Sequence, residues 1–375
     1  MRYYLIAGEP SGDLHGANLM RGIVQHDPEA EFRFWGGDMM AEVGDPSNLV
    51  KHYRETSFFG ILQVVANART IMRQLDECRN DLLAWSPDVV ILIDYPGFNF
   101  KIAKFAHQHG LRTFYYIAPK VWAWKEHRVK RIQKYVDKLF TIFPFESDYF
   151  RKWNIEPIFC GNPLVDAIEQ RISEWPDRDQ FIEAHGLDHR PIIALVAGSR
   201  ASEIRKNLPL MVATSRAFPE YQFVVSGVEW LDRSLYDQHL QGSDVKILFD
   251  RTDALLRHSV AAIVTSGTAT LETALIGIPE VVIYRTDWLL NLLKHFILHS
   301  YISLVNINLQ KECVTEIIQA SKSTALLESE LRRILPGGDK REAMLREFDT
   351  LRDLIGPSGS SERTAEQMVK LLKKE

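Results

Sequence analysis

The apolar positions of this chain fall in short runs that end on glycine or a polar turn, and a helical pattern follows each run. Before residue 150 these runs are YYLIAG, PDVVILIDYPG, LRTFYYIAP and DKLFTIFPF. After residue 190 they are PIIALVAGSR, YQFVVSG, VKILFD, AAIVTSGT and PEVVIYR. Near-continuous apolar strands that alternate with helices predict parallel sheets covered on both faces.

The two series of strands predict two domains. A polar stretch, residues 172–191, separates them, and a chain of 375 residues is long enough for two cores. We expect an α/β fold class with two doubly wound Rossmann-like domains facing a cleft. The first would comprise residues 1–170, joined by C-terminal helices from about 345–375, and the second residues 190–344.

Composition and charge exclude several classes of protein. With 46% apolar and 25% charged residues the chain is typical of a globular protein, and its net charge of −4 gives no general attraction to nucleic acid. Cys78, Cys160 and Cys313 are too far apart for a disulfide framework, so we expect free thiols. The first apolar run is too short for a signal peptide. No spacing of histidines matches a metal site, and we expect none.

Ligands of open parallel sheets bind outside the carboxyl ends of the strands. One predicted strand ends at Ser266, Gly267 permits close backbone approach, and a helix starts at Thr268. The free N–H groups and dipole of that helix favour a phosphate, and Glu272, about one turn later, could reach ribose hydroxyls. The alternative is a helix merely capped by serine or threonine, with Glu272 at a position that the dipole favours anyway.

Two further strand ends carry candidate chemistry. Ser199 and Arg200 follow another strand, where the guanidinium could donate to a diphosphate, or could simply pair with Glu203. Together with the Ser266 turn they favour a nucleotide diphosphate site in the second domain. In the first domain a strand ends on Asp94, a partly desolvated carboxylate that suits a general base. The alternative is a turn or cap aspartate.

Residues 118–138 set tryptophans among seven lysines and arginines, beside the apolar stretches 56–75 and 288–305. The basic block suits nucleic acid, an anionic membrane surface or a solvated helix face, and we rank nucleic acid last because the net charge is negative. The apolar stretches suit core burial, an acyl-chain groove or shallow membrane docking. Charged and histidine residues interrupt 288–305, so it does not predict a membrane-spanning helix.

These motifs, in this order, resemble the lipid-A-disaccharide synthase family, glycosyltransferases of lipopolysaccharide assembly in Gram-negative bacteria. The resemblance is carried by AGEPSGDLHGA (7–17), IDYPGFN (93–99), APKVWAWKEHRVKRI (118–132), FPFE (143–146), GNPLVD (161–166), AGSRASEI (197–204), SGTATLE (266–272), YR (284–285) and YISLVNI (301–307). It departs at His15, Gln63 and Val305, where the family has a small or apolar residue, glutamate and proline.

The resemblance implies a glycosyltransferase-B fold that holds the nucleotide in the second domain. The implied reaction joins UDP-2,3-diacylglucosamine to 2,3-diacylglucosamine 1-phosphate (lipid X), with inversion, and yields lipid A disaccharide 1-phosphate and UDP. No cofactor or metal is implied. The implied location is cytoplasmic, peripheral on the inner face of the inner membrane, with an anionic membrane surface as partner; an oligomer is allowed, and nucleic acid is not a partner.

On this resemblance Asp94 is the candidate base for the acceptor's 6-hydroxyl, with Glu9 second. Arg200, Ser199 and the N–H groups after Gly267 would cradle the departing diphosphate. The remaining substrate-binding residues that the motifs imply are Ser11, Gly12, Asn99, Trp122, Ser266, Thr268, Glu272 and Arg285. Ser11 and Gly12 would meet a phosphate of donor or acceptor, and Asp13 would cap or orient their turn.

Two other functions fit the pattern. One is another UDP-N-acetylglucosamine-using enzyme of the same fold, either an epimerase or a peptidoglycan-type transferase. The other is a non-catalytic nucleotide- or lipid-binding protein of Rossmann type. The first does not need the extra apolar surface of residues 56–75 and 288–305, which is why we rank it lower. Loss of turnover with retained UDP binding on replacing Asp94 would exclude the second.

Overall fold

The computed structural model describes residues 1–56, 68–119, 128–172, 175–284, 301–318 and 323–374. The chain forms two compact units, Met1–Ala167 with Ile355–Glu375, and Ile168–Leu354. Each unit contains one parallel sheet with helices, which confirms the predicted α/β fold class. None of the described helices is long and apolar enough to cross a membrane.

The first unit holds a seven-stranded parallel sheet in the order β3-β2-β1-β4-β5-β6-β7. Its strands are β1 Arg2–Ala7, β2 Glu31–Gly36, β3 Leu49–His52, β4 Val89–Ile93, β5 Thr113–Tyr116, β6 Lys138–Thr141 and β7 Ile158–Phe159. The sheet grows in one direction from β1 to β3 and in the other from β4 onward. The topological switch, where ligands of such sheets bind, therefore lies between β1 and β4.

Alternating burial explains the continuous apolar strands. Along β1, Tyr3 and Leu5 belong to one buried cluster, whereas Tyr4 and Ile6 belong to another. Because successive side chains of a strand point to opposite faces, a strand covered by helices on both faces must be apolar at every position.

The helices of the first unit connect these strands. They are α1 Pro10–His26, α2 Asp38–Gly44, α3 Tyr53–Thr56, α4 Ala68–Trp85, α5 Pro96–Gln108, α6 Val129–Tyr135, α7 Pro144–Arg151 and the start of α8 Pro163–Ile172, with a 3-10 turn at Pro46–Asn48. The last helix of the chain, α17 Ser360–Lys373, packs against α1, where Gly22 leaves room for Ala365.

Asp166, in the GNPLVD motif, anchors this last helix. Its buried carboxylate accepts hydrogen bonds from the backbone N–H groups of Gly359 (2.8 Å), Ser360 (3.1 Å) and Ser361 (2.8 Å). These are orphan donors at a helix start, so Asp166 acts as a cap supplied from a distant segment. The C-terminal segment that belongs to the first unit begins at residue 355, whereas the sequence placed its start at about 345.

The second unit holds a six-stranded parallel sheet in the order β10-β9-β8-β11-β12-β13, with its switch between β8 and β11. Its strands are β8 Ile192–Val196, β9 Gln222–Gly227, β10 Lys246–Phe249, β11 Ser259–Thr265, β12 Glu280–Tyr284 and β13 Thr315–Ile318. Its helices are α9 Arg178–Ala184, α10 Ala201–Ser215, α11 Ser234–Leu240, α12 Thr252–Arg257, α13 Thr268–Ile276, α14 Leu304–Leu309, α15 Ala325–Ile334 and α16 Arg341–Ile355.

Candidate functional site

The switch point of the first sheet brings two motifs together. Ala7 of β1 pairs in register with Ile93 of β4, so Gly8 and Asp94 leave the sheet side by side. The ring of Tyr95 covers Gly8 so closely that an added Cβ would lie 2.4 Å from its Cδ1 atom. Glycine is therefore required at position 8 for the two loops to meet.

Asp94 is held through its backbone. Its carbonyl accepts a hydrogen bond from the Asn99 side-chain nitrogen (2.9 Å) and another from the Tyr115 hydroxyl (2.6 Å). Asp94 (φ 42°) and Tyr95 (φ 44°) both adopt the left-handed region, which is costly outside glycine and persists only where surrounding contacts impose it. Such strain at a strand end is typical of functional sites.

Asn99 holds the ends of β1 and β4 together. It is fully buried, and its side-chain nitrogen also approaches the carbonyls of Ile93 (3.3 Å) and Ile6 (3.4 Å). This fully buried amide joins the ends of β1 and β4 and so shapes the loop. A contact between Asn99 and substrate stays a prediction.

The sequence did not single out Tyr115, whose hydroxyl contacts the Asp94 carbonyl, or Arg128, whose charge acts on Tyr115. Burial raises the pKa of Tyr115 well above its ordinary value, the charge of Asp94 adds to this rise, and Arg128 opposes it. Arg128 belongs to the basic block, lies 5.9 Å from the ring centre of Phe100, and has a pKa lowered by burial and by Arg131. Among so many basic residues, no sequence signal distinguished this one.

The residues of the turn from Gly8 to Asp13 have different structural roles. Glu9 precedes α1 in extended conformation, and Gly12 brings the helix close to β1, since an added Cβ would lie 3.1 Å from the Cβ of Ala7. Ser11 is exposed at the helix start. The buried Asp13 accepts from the backbone of Gly37 (2.7 Å), Met39 (3.1 Å) and Met40 (3.1 Å), so it caps α2 rather than its own turn.

At the second switch point Glu203 closes the turn after β8. Its Oε2 accepts from the backbone N–H groups of Ser199 (3.1 Å) and Arg200 (3.3 Å), and its Oε1 accepts from the Arg200 guanidinium (3.0 Å). The ion pair that the sequence offered as the alternative is thus present. Arg200 is still 67% exposed, so its guanidinium can reach a ligand while its backbone cannot.

The turn after β11 leaves the start of α13 open. Among the described residues, an added Cβ on Gly267 would meet nothing nearer than the Thr265 carbonyl at 3.9 Å, and Thr268 is exposed. A ligand can therefore approach the first N–H groups of this helix. The Ser266 hydroxyl donates to the Ile302 carbonyl (2.9 Å) and so anchors the turn. Its part in binding stays a prediction.

Glu272 lies in a charged cluster. Arg171 approaches Glu272 (3.9 Å) and Asp253 (3.6 Å), and the indole N–H of Trp175 donates to Asp253 (3.1 Å). Burial raises the pKa of Glu272, an effect that Arg171 opposes and Asp253 reinforces. Arg171 and Asp253 were missed because they lie far from Glu272 in sequence, with no pattern to connect them.

Some predicted features lie outside the described residues. These are Trp122, Arg285, and most of residues 56–75 and 288–305. Within the described ranges, no group of three or more histidine, cysteine or acidic side chains could hold a metal ion.

The sequence matches the family model described as lipid-A-disaccharide synthetase over residues 3–370. A lipid-A-disaccharide synthase of Syntrophus aciditrophicus is 34% identical, covering 99% of this chain and 97% of the relative. Those of Geobacter sulfurreducens (34% identity, coverage 100% and 98%) and Coxiella burnetii (31%, 98% and 98%) are similar throughout.

Solved structures share the fold at low identity. The UDP-GlcNAc 2-epimerase of Neisseria meningitidis bound to UDP-GlcNAc superposes with a TM-score of 0.70 at 12% identity, covering 99% of this chain and 100% of that chain. The sucrose-phosphate synthase of Thermosynechococcus elongatus gives 0.62 at 12% identity, with both chains fully covered. The family resemblance and the two-unit fold that the sequence predicted are both confirmed.

Proposed function

The chain belongs to the lipid-A-disaccharide synthetase family of glycosyltransferases, and from this premise we propose that it joins UDP-2,3-diacylglucosamine to 2,3-diacylglucosamine 1-phosphate. The observation that carries the proposal is the placement of complementary groups at the two switch points. One switch point holds the carboxylates of Asp94 and Glu9, and the other holds Arg200 and an open helix start.

Asp94 takes the proton from the acceptor's 6-hydroxyl. The oxygen then attacks C1 of the donor sugar from the face opposite the UDP group. The new O6–C1 bond forms as the bond from C1 to the diphosphate oxygen breaks, so the anomeric centre inverts. General base catalysis of this kind typically contributes about 10²–10⁴-fold in rate. Glu9 is the second candidate for this step.

The departing diphosphate needs positive charge. The Arg200 guanidinium, which follows β8, can donate to two of its oxygens. The N–H groups at the start of α13 follow β11, the other strand of the same switch point, and can donate as well. Glu272 holds the ribose hydroxyls, with Arg171 keeping its carboxylate in place. Ser11 and Gly12, at the start of α1, meet a phosphate of donor or acceptor.

The substrates require apolar surroundings. Each acylated sugar would expose its chains to water at about 0.8 kcal/mol per methylene. Helix α6 exposes Lys130, Arg131 and Lys134, and α5 exposes Lys101 and Lys104. An anionic lipid surface attracts such residues by about 1 kcal/mol each, which supports peripheral attachment to the inner face of the inner membrane.

An epimerase acting on a UDP-sugar is the second candidate, because the N. meningitidis epimerase has the same fold. The two functions differ in their products, since only the transferase releases UDP in an amount equal to acceptor consumed. Purified protein in mixed micelles is given UDP-2,3-diacylglucosamine with lipid X, then with unacylated glucosamine 1-phosphate, and finally UDP-N-acetylglucosamine alone.

We expect UDP release in the first mixture, at least about 10²-fold slower release in the second, and no epimer in the third. Equal release with the unacylated acceptor would contradict an acyl-sugar acceptor. Formation of the 2-epimer without UDP release would replace the transferase by the epimerase.

A further inference from the structure

The turn after β9 presents an exposed tryptophan next to the Arg200 loop. Trp230 is 63% exposed, a larger fraction than any other exposed large apolar side chain in the described ranges. Burying an aromatic ring of this size is normally favourable, so its exposure leaves a broad apolar face available to a ligand. Single apolar residues are common on surfaces, so what distinguishes this ring is how it is held.

The ring is fixed in place. The indole N–H of Trp230 donates to the carbonyl of Ser199 (3.3 Å), which joins the ring to the loop that carries Arg200. The backbone N–H of Leu231 donates to the carbonyl of Val228 (3.2 Å) and closes the turn. An aromatic side chain held in this way can bind without paying much further conformational entropy.

Two neighbouring elements also hold the turn. The hydroxyl of Tyr236, on α11, accepts from the backbone N–H of Val228 (3.1 Å), and the carboxylate of Asp250, after β10, accepts from the N–H of Glu229 (3.4 Å). The exposed ring thus stands on a turn supported from β8, from β10 and from α11. These hydrogen bonds hold the ring in a defined position at the carboxyl edge of the second sheet.

We propose that the exposed face of Trp230 is the stacking surface for the uracil base of the donor nucleotide. This rests on the proposed function, which puts the diphosphate at Arg200, one residue from the carbonyl that the indole contacts. Uracil is the one planar aromatic group in the proposed substrates. It is uncharged, so an aromatic face recognises it better than a cation would, and base stacking tolerates an edge left in water.

The test compares affinities for UDP and for inorganic pyrophosphate by calorimetry. Pyrophosphate reports the Arg200 loop without a base. Trp230→Ala should weaken UDP binding by about 5- to 150-fold, the range found for loss of one base–aromatic stack. It should leave pyrophosphate binding unchanged. Trp230→Phe, which keeps an aromatic face, should retain UDP affinity within about threefold.

Leu326→Ala, which truncates another exposed apolar side chain of the second unit (52% exposed), is the control for unspecific effects. Unchanged UDP affinity in Trp230→Ala would overturn the inference alone. An equal loss for UDP and pyrophosphate would also overturn it, because Trp230 would then act through the Ser199 loop. Loss for the UDP-sugar without loss for UDP would reassign the ring to the sugar. Wild-type protein that binds no UDP would overturn the proposed function itself.

Discussion

The loop that carries Asp94 is fixed by hydrogen bonds to its backbone carbonyl, from Asn99 and Tyr115. Replacing its carboxylate should therefore leave the loop intact. Asparagine is the suitable replacement, because it tolerates the left-handed backbone that Asp94 adopts at φ 42° better than most residues do.

We predict that Asp94→Asn lowers turnover of the two acylated substrates by about 10²-fold or more and leaves UDP affinity unchanged. Initial rates and calorimetric UDP binding measure the two effects. Asp148→Asn, at a side chain that is 73% exposed, is the matched control and should behave as wild type. Wild-type turnover in Asp94→Asn would remove Asp94 from the role of base and leave Glu9.

Arg200→Ala should weaken both UDP binding and turnover by about 10- to 150-fold, the worth of hydrogen bonds to a charged group. Arg200→Lys should recover only part of the loss, since an ammonium cannot make the forked contact. The matched control is Arg216→Ala, an exposed arginine at the other end of the same helix. An Arg200→Ala protein with wild-type UDP affinity would show that the diphosphate is held elsewhere.

Sequence reasoning placed the candidate residues at strand ends more readily than it identified their hydrogen-bond partners. The rule for open parallel sheets selected Glu9, Asp94, Arg200 and Ser266 because each directly follows an apolar run, and all four lie at switch points. It could not assign the Ser266 hydroxyl to Ile302 or the Asp13 carboxylate to the start of α2. Those partners lie 36 and more than 20 residues away, and only the fold brings them into contact.

At the scale of elements, the last helix depends on a cap from another segment. Asp166→Ala removes three hydrogen bonds to the start of α17. We predict a loss of about 2 kcal/mol in the free energy of unfolding, measured in urea, with faster proteolysis near residue 359. Asp177→Ala, which removes one exposed cap from α9, should cost only about 0.5 kcal/mol. Equal losses would contradict a special anchoring task for Asp166.

Strand β12 starts with a buried acid. Glu280 is fully buried, and within the described part of the chain neither of its carboxylate oxygens has a hydrogen-bond partner. Burial raises the pKa of Glu280 well above its ordinary value, and Glu316 adds to the rise. Such a group binds its proton more tightly when folded. The unfolded chain therefore loses that proton first, and stability falls as the pH rises from about 4.3 towards the folded-state pKa.

We predict that Glu280→Met, a flexible apolar replacement of similar length, stabilises the protein at pH 8 by about 1 kcal/mol or more. The gain should be smaller at pH 5, because the wild-type acid is then closer to neutral in both states. Urea unfolding at the two pH values measures this difference. A gain that is the same at both pH values would show that the acid is not responsible for the pH dependence.

At the scale of the whole molecule, the alternation of apolar runs and helices was sufficient to predict two doubly wound sheets, because burial on both faces requires it. The end of the second unit was harder to place. Helix α16 has the composition of a surface helix and could cover either sheet. The cap from Asp166 fixes where the chain rejoins the first unit, and the sequence of α16 and α17 gives no sign of that cap.

The basic surface of α6 provides a prediction for the whole molecule. Replacing Lys130, Arg131 and Lys134 by alanine should weaken binding to vesicles containing 30 mol% anionic lipid by about 10²-fold, and added salt should reduce the difference. Co-sedimentation measures the binding. Alanine at Lys246, Arg257 and Arg346, exposed residues of the second unit, removes the same charge elsewhere and should have little effect. Equal losses would point to net charge rather than to a docking surface.

The proposed reaction makes a disaccharide with an inverted linkage. Mass spectrometry and proton NMR of the product formed from UDP-2,3-diacylglucosamine and lipid X test it most directly. We expect one tetraacylated disaccharide 1-phosphate whose new anomeric proton shows the large coupling of a β linkage, with UDP released in equal amount. A product with the small coupling of an α linkage, or an epimerised sugar nucleotide with no disaccharide, would contradict it.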